Sequence, residues 1–393
     1  MEPFLFSSNM KTKHHFYLLF MLILLTLCSL LNTNTIANNI PGTSEKSVFL
    51  FIGTFTKGTS EGIYVYKMDT ATGAISQVFY SPKISNPAYL AIHPDKKLLY
   101  AVNENDSGSV SAFSFDIEKK KITLINTVSS HGSSPCYVSI DQSGRFVMAA
   151  NYNNGSIALL PIEQNGSLGN AIFTDQHQGH GPVPDRQNGP HAHMITQSAN
   201  SFVYYTDLGL DQIFIYSLNS SKGTLQPTNS NVHTGPGTGP RHLAFHPVQP
   251  WAYVVGELNG TIECFSVNNS TGALTRFQVI STLPSGETKP AASADIHVTP
   301  DGKYLYASNR GDINNIAIYV IDQDTGTLRL LGHQSTKGRT PRNFAIDPSG
   351  KFLLVANQDS NNVVTFKIDP ANGKLIDTGE KASIPNPVCL KFL

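Results

Sequence analysis

Charge of one sign is what this sequence most plainly lacks. Lys plus Arg and Asp plus Glu both number 28 across 393 residues. A nucleic-acid groove or a membrane-surface patch is built from a basic excess, so no nucleic acid partner is expected. Charge of either sign is scarce, at 14% of residues against a usual quarter. Any place that gathers charge therefore stands out. Cysteine is scarce too. Cys28 lies in an N-terminal apolar segment, and Cys136, Cys264 and Cys389 show no CxxC spacing. That argues against a disulfide framework and a structural zinc site. There is no Gly-x-Ser-x-Gly elbow, no Walker loop and no GxGxxG after a strand. A serine-nucleophile hydrolase and a nucleotide enzyme are thereby disfavoured.

Long hydrophobic runs are missing except for one, Phe16 to Leu31. Sixteen residues is short for a membrane span and suits the core of a signal peptide. Lys11, Lys13, His14 and His15 precede it, Thr35-Ile36-Ala37 offers a small-x-small cleavage site, and Met10 is an alternative start. "LTLC" ending at Cys28 is a second possibility, a lipoprotein box in which Leu27 replaces the usual small residue. An uncleaved anchor is a third, and would be the only membrane contact. All three place the folded part outside the cytoplasm, in the periplasm or beyond. Residues 1–40 are thus read as a targeting segment and 45–393 as one folded domain.

What is abundant is turn residues, with 31 Gly and 23 Pro. They punctuate a repeat. Its copies are "NPAYLAIHPDKKLLYAVNE" (86–104), "SPCYVSIDQSGRFVMAANY" (134–152), "GPHAHMITQSANSFVYYTD" (189–207), "GPRHLAFHPVQPWAYVVGE" (239–257), "ASADIHVTPDGKYLYASNR" (292–310) and "TPRNFAIDPSGKFLLVANQ" (340–358). A last copy, "NPVCLKFL" (386–393), stops after one strand. Each full copy holds two short strands, and two more follow it before the next copy. Four strands at a period of roughly fifty residues is the signature of a β-propeller blade. Six units are complete. The seventh has its first strand at the C-terminus and three at the N-terminus: "VFLFIGTF", "GIYVYKMD" and "AISQVFY". The expected fold is all-β: a seven-bladed β-propeller of four antiparallel strands per blade, closed by the two chain ends in one blade.

In a propeller the first strand of each blade lines the channel and the second runs back beside it. The start of one and the end of the other share a rim. Aligned on the first Pro or its equivalent, the following residue is Ala88, Cys136, His191, Arg241, Ala294, Arg342 and Val388. Further along come His193, His242, Asp295 and Asn343. Strand two ends at Glu104, Tyr152, Asp207, Glu257, Arg310 and Gln358, preceded by a column rich in Asn that is expected to be structural. The His, Arg and Glu positions do not repeat, and unrepeated polar residues on a repeating scaffold suggest a site. His193 is the best candidate for a general base, since imidazole titrates near neutral pH. His191 fits support or substrate contact. Arg241, Arg310 and Arg342 suit a carboxylate or phosphate, because a guanidinium matches such groups in a bidentate way. Glu257 is read as orienting His193 or water, or as the base itself, and Asp295 as holding a neighbouring His or Arg. His242 and Glu257 could complete a metal site with the histidines, but the nearby arginines argue against it, and no metal or cofactor is expected. The long loop "HQGHGPVPDRQNGPHAH" could cover the mouth, with Arg186 and Gln187 contributing and His177 and His180 in solvent.

The ordered motifs "IGTFT", "DRQNGPHAH", "TDLGLDQIFIY", "GTGPRHLAFHP", "ADIHVTPDGKYLYASNRG" and "TPRNFAIDPSGKFLLVANQ" make the chain resemble the seven-bladed propeller lactonases. That family includes bacterial propeller-type 6-phosphogluconolactonases and is related to fungal carboxy-muconate lactonizing enzymes. The resemblance implies lactone chemistry at the channel mouth, with His193, Arg241, Glu257 and either Arg310 or Arg342 in the catalytic positions. The sequence departs from relatives in carrying Gly256 before Glu257 and in its export signal. The reading is a monomeric hydrolase that opens a sugar-type, anionic lactone. The alternatives are an exported binding propeller without catalysis, or a lactonizing enzyme.

Overall fold

The computed structural model describes residues 46–393, so the proposed targeting segment lies outside the described residues. Residues 47–393 form one compact unit. Each unit of the repeat becomes a four-stranded antiparallel sheet, and there are seven; in blade three the outer strand is split into Thr224–Pro227 and Val232–His233, both paired to the third strand. The inner strands of blades one to seven are Leu90–Ile92, Pro135–Ile140, Ala192–Gln197, Pro240–Phe245, Ser293–Val298, Pro341–Ile346 and Pro387–Phe392. Blade seven is the composite one: Pro387–Phe392 pairs with Ser47–Thr54, placing Leu50 opposite Phe392 and Ile52 opposite Leu390. The expected closure is therefore present. It leaves the ring without the open inner edge that would pair with another chain.

The second strands are buried along nearly their whole length on both faces and pack between neighbouring blades, so the core is a set of inter-blade layers. Two polar columns tie blade to blade. At the site rim, Asn103, Asn151, Asn309 and Asn357 donate from Nδ2 to the carbonyls of Ser85, Ser130, Thr282 and Thr336, the connectors from the preceding blades. Near the opposite rim, Tyr100, Tyr204, Tyr253 and Tyr306 donate to the carbonyls of Gly166, Gly272, Gly326 and Gly373. Those glycines sit at positive φ in the turn before the outer strand of the next blade. The Asn column matches its expected structural role, and the Tyr column is an addition from the structure.

A third feature repeats. In blades two to seven the inner strand shifts register against strand two near its start, as a β-bulge. A bulge re-aims a side chain and bends the strand, which is why bulges cluster beside active sites. Here they turn one residue per blade into the head of the channel: Cys136, His193, Arg241, Ala294, Arg342 and Val388.

Candidate active site

The bulge column corrects one alignment. Pro190 is not the counterpart of Pro240, because Ala192 pairs with Asp207 as Pro240 pairs with Gly256. Blade three closes its first turn between Gln197 and Val203, one residue tighter than Phe245 and Ala252 in blade four. His193, not His191, therefore takes the position of Arg241 and Arg342. Asp207 likewise falls in the Asn column, and Leu208 takes the position of Glu257.

At the head of the channel is a small cavity lined by Glu104, Cys136, His193, Arg241, His242 and Arg342, with Ala88, Tyr89 and Val388. It has room for about one water. Glu257 is the hub beside it. Its Oε2 accepts from Arg241 Nε at 2.8 Å and Arg310 Nη2 at 2.7 Å, and its Oε1 from Arg186 Nη2 at 2.5 Å. These three guanidiniums outweigh burial and hold the carboxyl well below the usual range. Glu257 is thus built to fix arginines, which makes it a poor proton acceptor at neutral pH. This differs from its expected role as base or as partner of His193.

Arg241 is 2% exposed and also donates to the carbonyl of Ala294 at 2.6 Å. Burial, then the neighbouring Arg310, push its guanidinium down to about 10, so it stays charged at neutral pH. Arg342 lies 3.6 Å from Glu104 and covers the Phe55 ring. Four guanidiniums therefore meet two carboxylates, and burial moves the Glu104 carboxyl upward.

Both cavity histidines are driven toward the neutral form. His193 is lowered well below the usual value, first by burial and then by Arg241. His242 is lowered to about 4 by the same two causes. The His193 ring meets His242 at 5.3 Å and Tyr152 at 5.6 Å, both edge-on, and its Nδ1 is 3.8 Å from Cys136 Sγ. His242 Nδ1 is 2.7 Å from Asp295 Oδ1.

The remaining candidates separate. His191 stacks on Tyr152 and its Nδ1 is 2.8 Å from the Tyr152 carbonyl, so it supports the wall without lining the cavity. Gln187 is fully buried. It donates to Leu208 and Asp211 and accepts from Val183, which pins the long loop and leaves it nothing for a substrate. The loop contributes Arg186 instead. His177 is half-buried against Phe214, not in solvent. Tyr152 and Cys136 stood in the rim columns of the sequence but were given no role there; Cys136 lines the cavity and Tyr152 packs against His191 and His193. Among the described residues no group of three His, Cys, Asp or Glu is arranged to hold a metal ion. A larger hollow at the opposite rim, lined by Thr299, Asp301, Tyr304, Gly350 and Phe352, gathers neither imidazole nor arginine.

The family model described as "Lactonase, 7-bladed beta-propeller" matches residues 49–392. The chain belongs to that family. It is similar to the 6-phosphogluconolactonase of Bacillus subtilis, 37% identical over 87% of this chain and 97% of the relative. It is 36% identical to the 6-phosphogluconolactonase of Formosa agariphila, over 83% of this chain and 94% of that one. The solved structure of a periplasmic gluconolactonase from Pseudomonas aeruginosa superposes with a TM-score of 0.85 at 33% identity, covering 88% of this chain and 99% of that one. Within the family frame, the mouth that bears the His, Arg and Glu cluster is the candidate active site.

Proposed function

We propose that the protein hydrolyses an anionic, sugar-type lactone at the mouth of the channel. The carrying observation is the charge imbalance: four guanidiniums converge on two carboxylates beside two neutral imidazoles. Asp295, behind His242, brings the carboxylates to three, and the guanidinium left over favours an anion. Arg241 and Arg310, fixed by Glu257, are placed to receive the oxygen that gains charge when water adds to the ring carbonyl, and fixed donors of this kind lower the barrier most. Arg342 and Arg186 face the remaining anionic group, a phosphate or carboxylate on the sugar. An imidazole at the cavity takes the proton from water, and neutral histidine is the form that can do so. A relative named 6-phosphogluconolactonase and a neighbour named periplasmic gluconolactonase support a sugar lactone. The apolar run Phe16 to Leu31 supports export, and the reading keeps the domain monomeric.

The test is turnover of a panel of sugar lactones, phosphorylated, carboxylated and neutral, by purified protein. Anionic lactones should be preferred through a lower KM, and Arg342→Gln should erase most of that preference by raising KM for the anionic lactones far more than for the neutral ones. Equal turnover of charged and neutral lactones by the wild type would remove the anion from the reading. An absence of turnover on every lactone would favour a binding propeller. A strict preference for ring closure would favour a lactonizing enzyme.

A further inference from the structure

We infer that His242, held by Asp295, is the residue that takes the proton from the attacking water, and that His193 is not. This rests on the lactonase reading above and names the base within it. A general base needs a lone pair facing the reacting atoms and a third group that fixes its tautomer. His242 has both. Its Nδ1 lies 2.7 Å from Asp295 Oδ1. An ionised carboxylate only accepts, so Nδ1 carries the hydrogen and Nε2 carries the lone pair. Nε2 has only a long contact, 3.4 Å to Arg241 Nη1, whose short bond goes to Ala294. The ring lines the cavity that has room for one water.

Asp295 is itself fixed. Its Oδ2 accepts from Asn343 Nδ2 at 2.5 Å and from the Phe344 amide at 3.1 Å, and lies 3.0 Å from His297 Nε2. Oδ1 also accepts the Ile296 amide at 3.1 Å. A carboxylate held on this many sides cannot swing, so it locks the imidazole it touches. His193 has no such support. Among the described residues its ring meets Cys136, Tyr152 and His242, and none of these is a carboxylate. Asp295 is therefore a positioning residue and His242 the catalytic one.

The step balances without a co-reactant. The water oxygen bonds to the ring carbonyl carbon, and one water proton moves to His242 Nε2. The carbonyl π pair moves onto oxygen beside Arg241. The intermediate then collapses, the carbon–ring oxygen bond breaks, and the proton on Nε2 passes to the departing oxygen. The product is the open hydroxy acid.

The experiment compares steady-state kinetics of His242→Gln, His193→Gln and Asp295→Asn on the best lactone of the panel, with thermal melts of each. His242→Gln should lose about 100-fold or more in kcat, the usual worth of a general base, with KM unchanged. Asp295→Asn should also lose kcat at constant KM, because an amide can present a donor and turn the ring to the wrong tautomer. His193→Gln should move KM more than kcat. A folded His242→Gln that keeps wild-type kcat overturns the inference. So does a folded His193→Gln that loses about 100-fold in kcat, the effect reserved for the base, and this arm decides if His242→Gln fails to fold. Either result leaves the lactonase reading intact. Wild-type protein inert on every lactone overturns both.

Discussion

Glu257 shows how one side chain can be indispensable without touching a proton. Removing its charge leaves Arg186, Arg241 and Arg310 facing one another, with Arg241 fully buried and Arg310 partly so. Breaking a buried pair from one side costs about 3–5 kcal/mol. Glu257→Gln should therefore melt well below wild type at pH 7. The sign of its pH dependence follows from a carboxyl held below its ordinary value. Its contribution is full above the unfolded value of about 4.3 and fades as pH falls toward the folded one. The melting gap between wild type and Glu257→Gln should shrink from pH 7 to pH 3, and a constant gap would count against the triple pairing. Asp207 runs the other way. Its Oδ1 accepts the amides of His191, Gly209 and Leu210, while its buried Oδ2 has no partner among the described residues. Burial raises its carboxyl to about 7. The stability carried by the protonated form is full below the unfolded value of about 3.9 and is lost as pH rises through about 7. Asp207→Asn keeps the accepting oxygen and never ionises. It should raise the melting temperature at pH 8 more than at pH 5, and an equal shift at both would show that the carboxyl does not titrate there.

At the scale of elements, the sequence disclosed strands and rims but not register. The Pro, the Asp-Gly-Lys type turn and the final Asn were enough to mark two strands per copy and the rim they share. They also placed His193, His242, Arg241, Arg310 and Asp295 near one another on that rim. The two-residue slip in blade three was hidden, because its repeat copy has the same length as that of blade four and its second strand is a similar, almost wholly buried run. Only pairing reveals that Ala192 meets Asp207. The bulges were hidden for the same reason: an extra residue on one strand leaves no mark in composition. Glu257 was legible as a charge at the rim, with Arg241, Arg310 and Arg186 as neighbours, but the meeting of all three on one carboxylate was not, since Arg186 arrives from a loop. Turns also act on the site across blades. Gly155, at φ +66 in the turn between the second and third strands of blade two, presses on Pro190 at the entry to blade three. An added Cβ would lie 2.2 Å from Pro190 Cβ and 2.6 Å from its carbonyl carbon. Left-handed backbone costs a non-glycine residue about 1–2 kcal/mol before any such clash. Gly155→Ala should lose more than that in stability and also raise KM, because the displaced segment carries His191 and His193. Kinetics and chemical denaturation on one preparation test it; a stability loss with unchanged KM would show that the inner strand absorbs the push.

For the whole molecule, closure and chemistry are one problem. The strand Pro387–Phe392 completes blade seven, and it also places Val388 at the cavity and binds the site through its Leu390 amide, which donates to Asn343 Oδ1 at 2.7 Å. Asn343 in turn donates to Asp295, so the last strand of the ring is two hydrogen bonds from the dyad that holds His242. The strand buries Val388, Cys389 and Leu390 almost completely. Each such side chain contributes about 1.5–3 kcal/mol. Three of them rival the whole stability of a typical domain, about 5–15 kcal/mol. A chain ending at Asn386 would lose these contacts and expose the inner edge of Ser47–Thr54 to pairing with another chain. It should show no cooperative melting transition, elute as aggregate and have no lactonase activity. Supplying the missing strand as a separate peptide should restore a transition, because the gap it leaves is one strand wide with a fixed register. A truncated protein that melts like wild type, without the peptide, would mean that the six complete blades close on their own and that the terminal strand is dispensable.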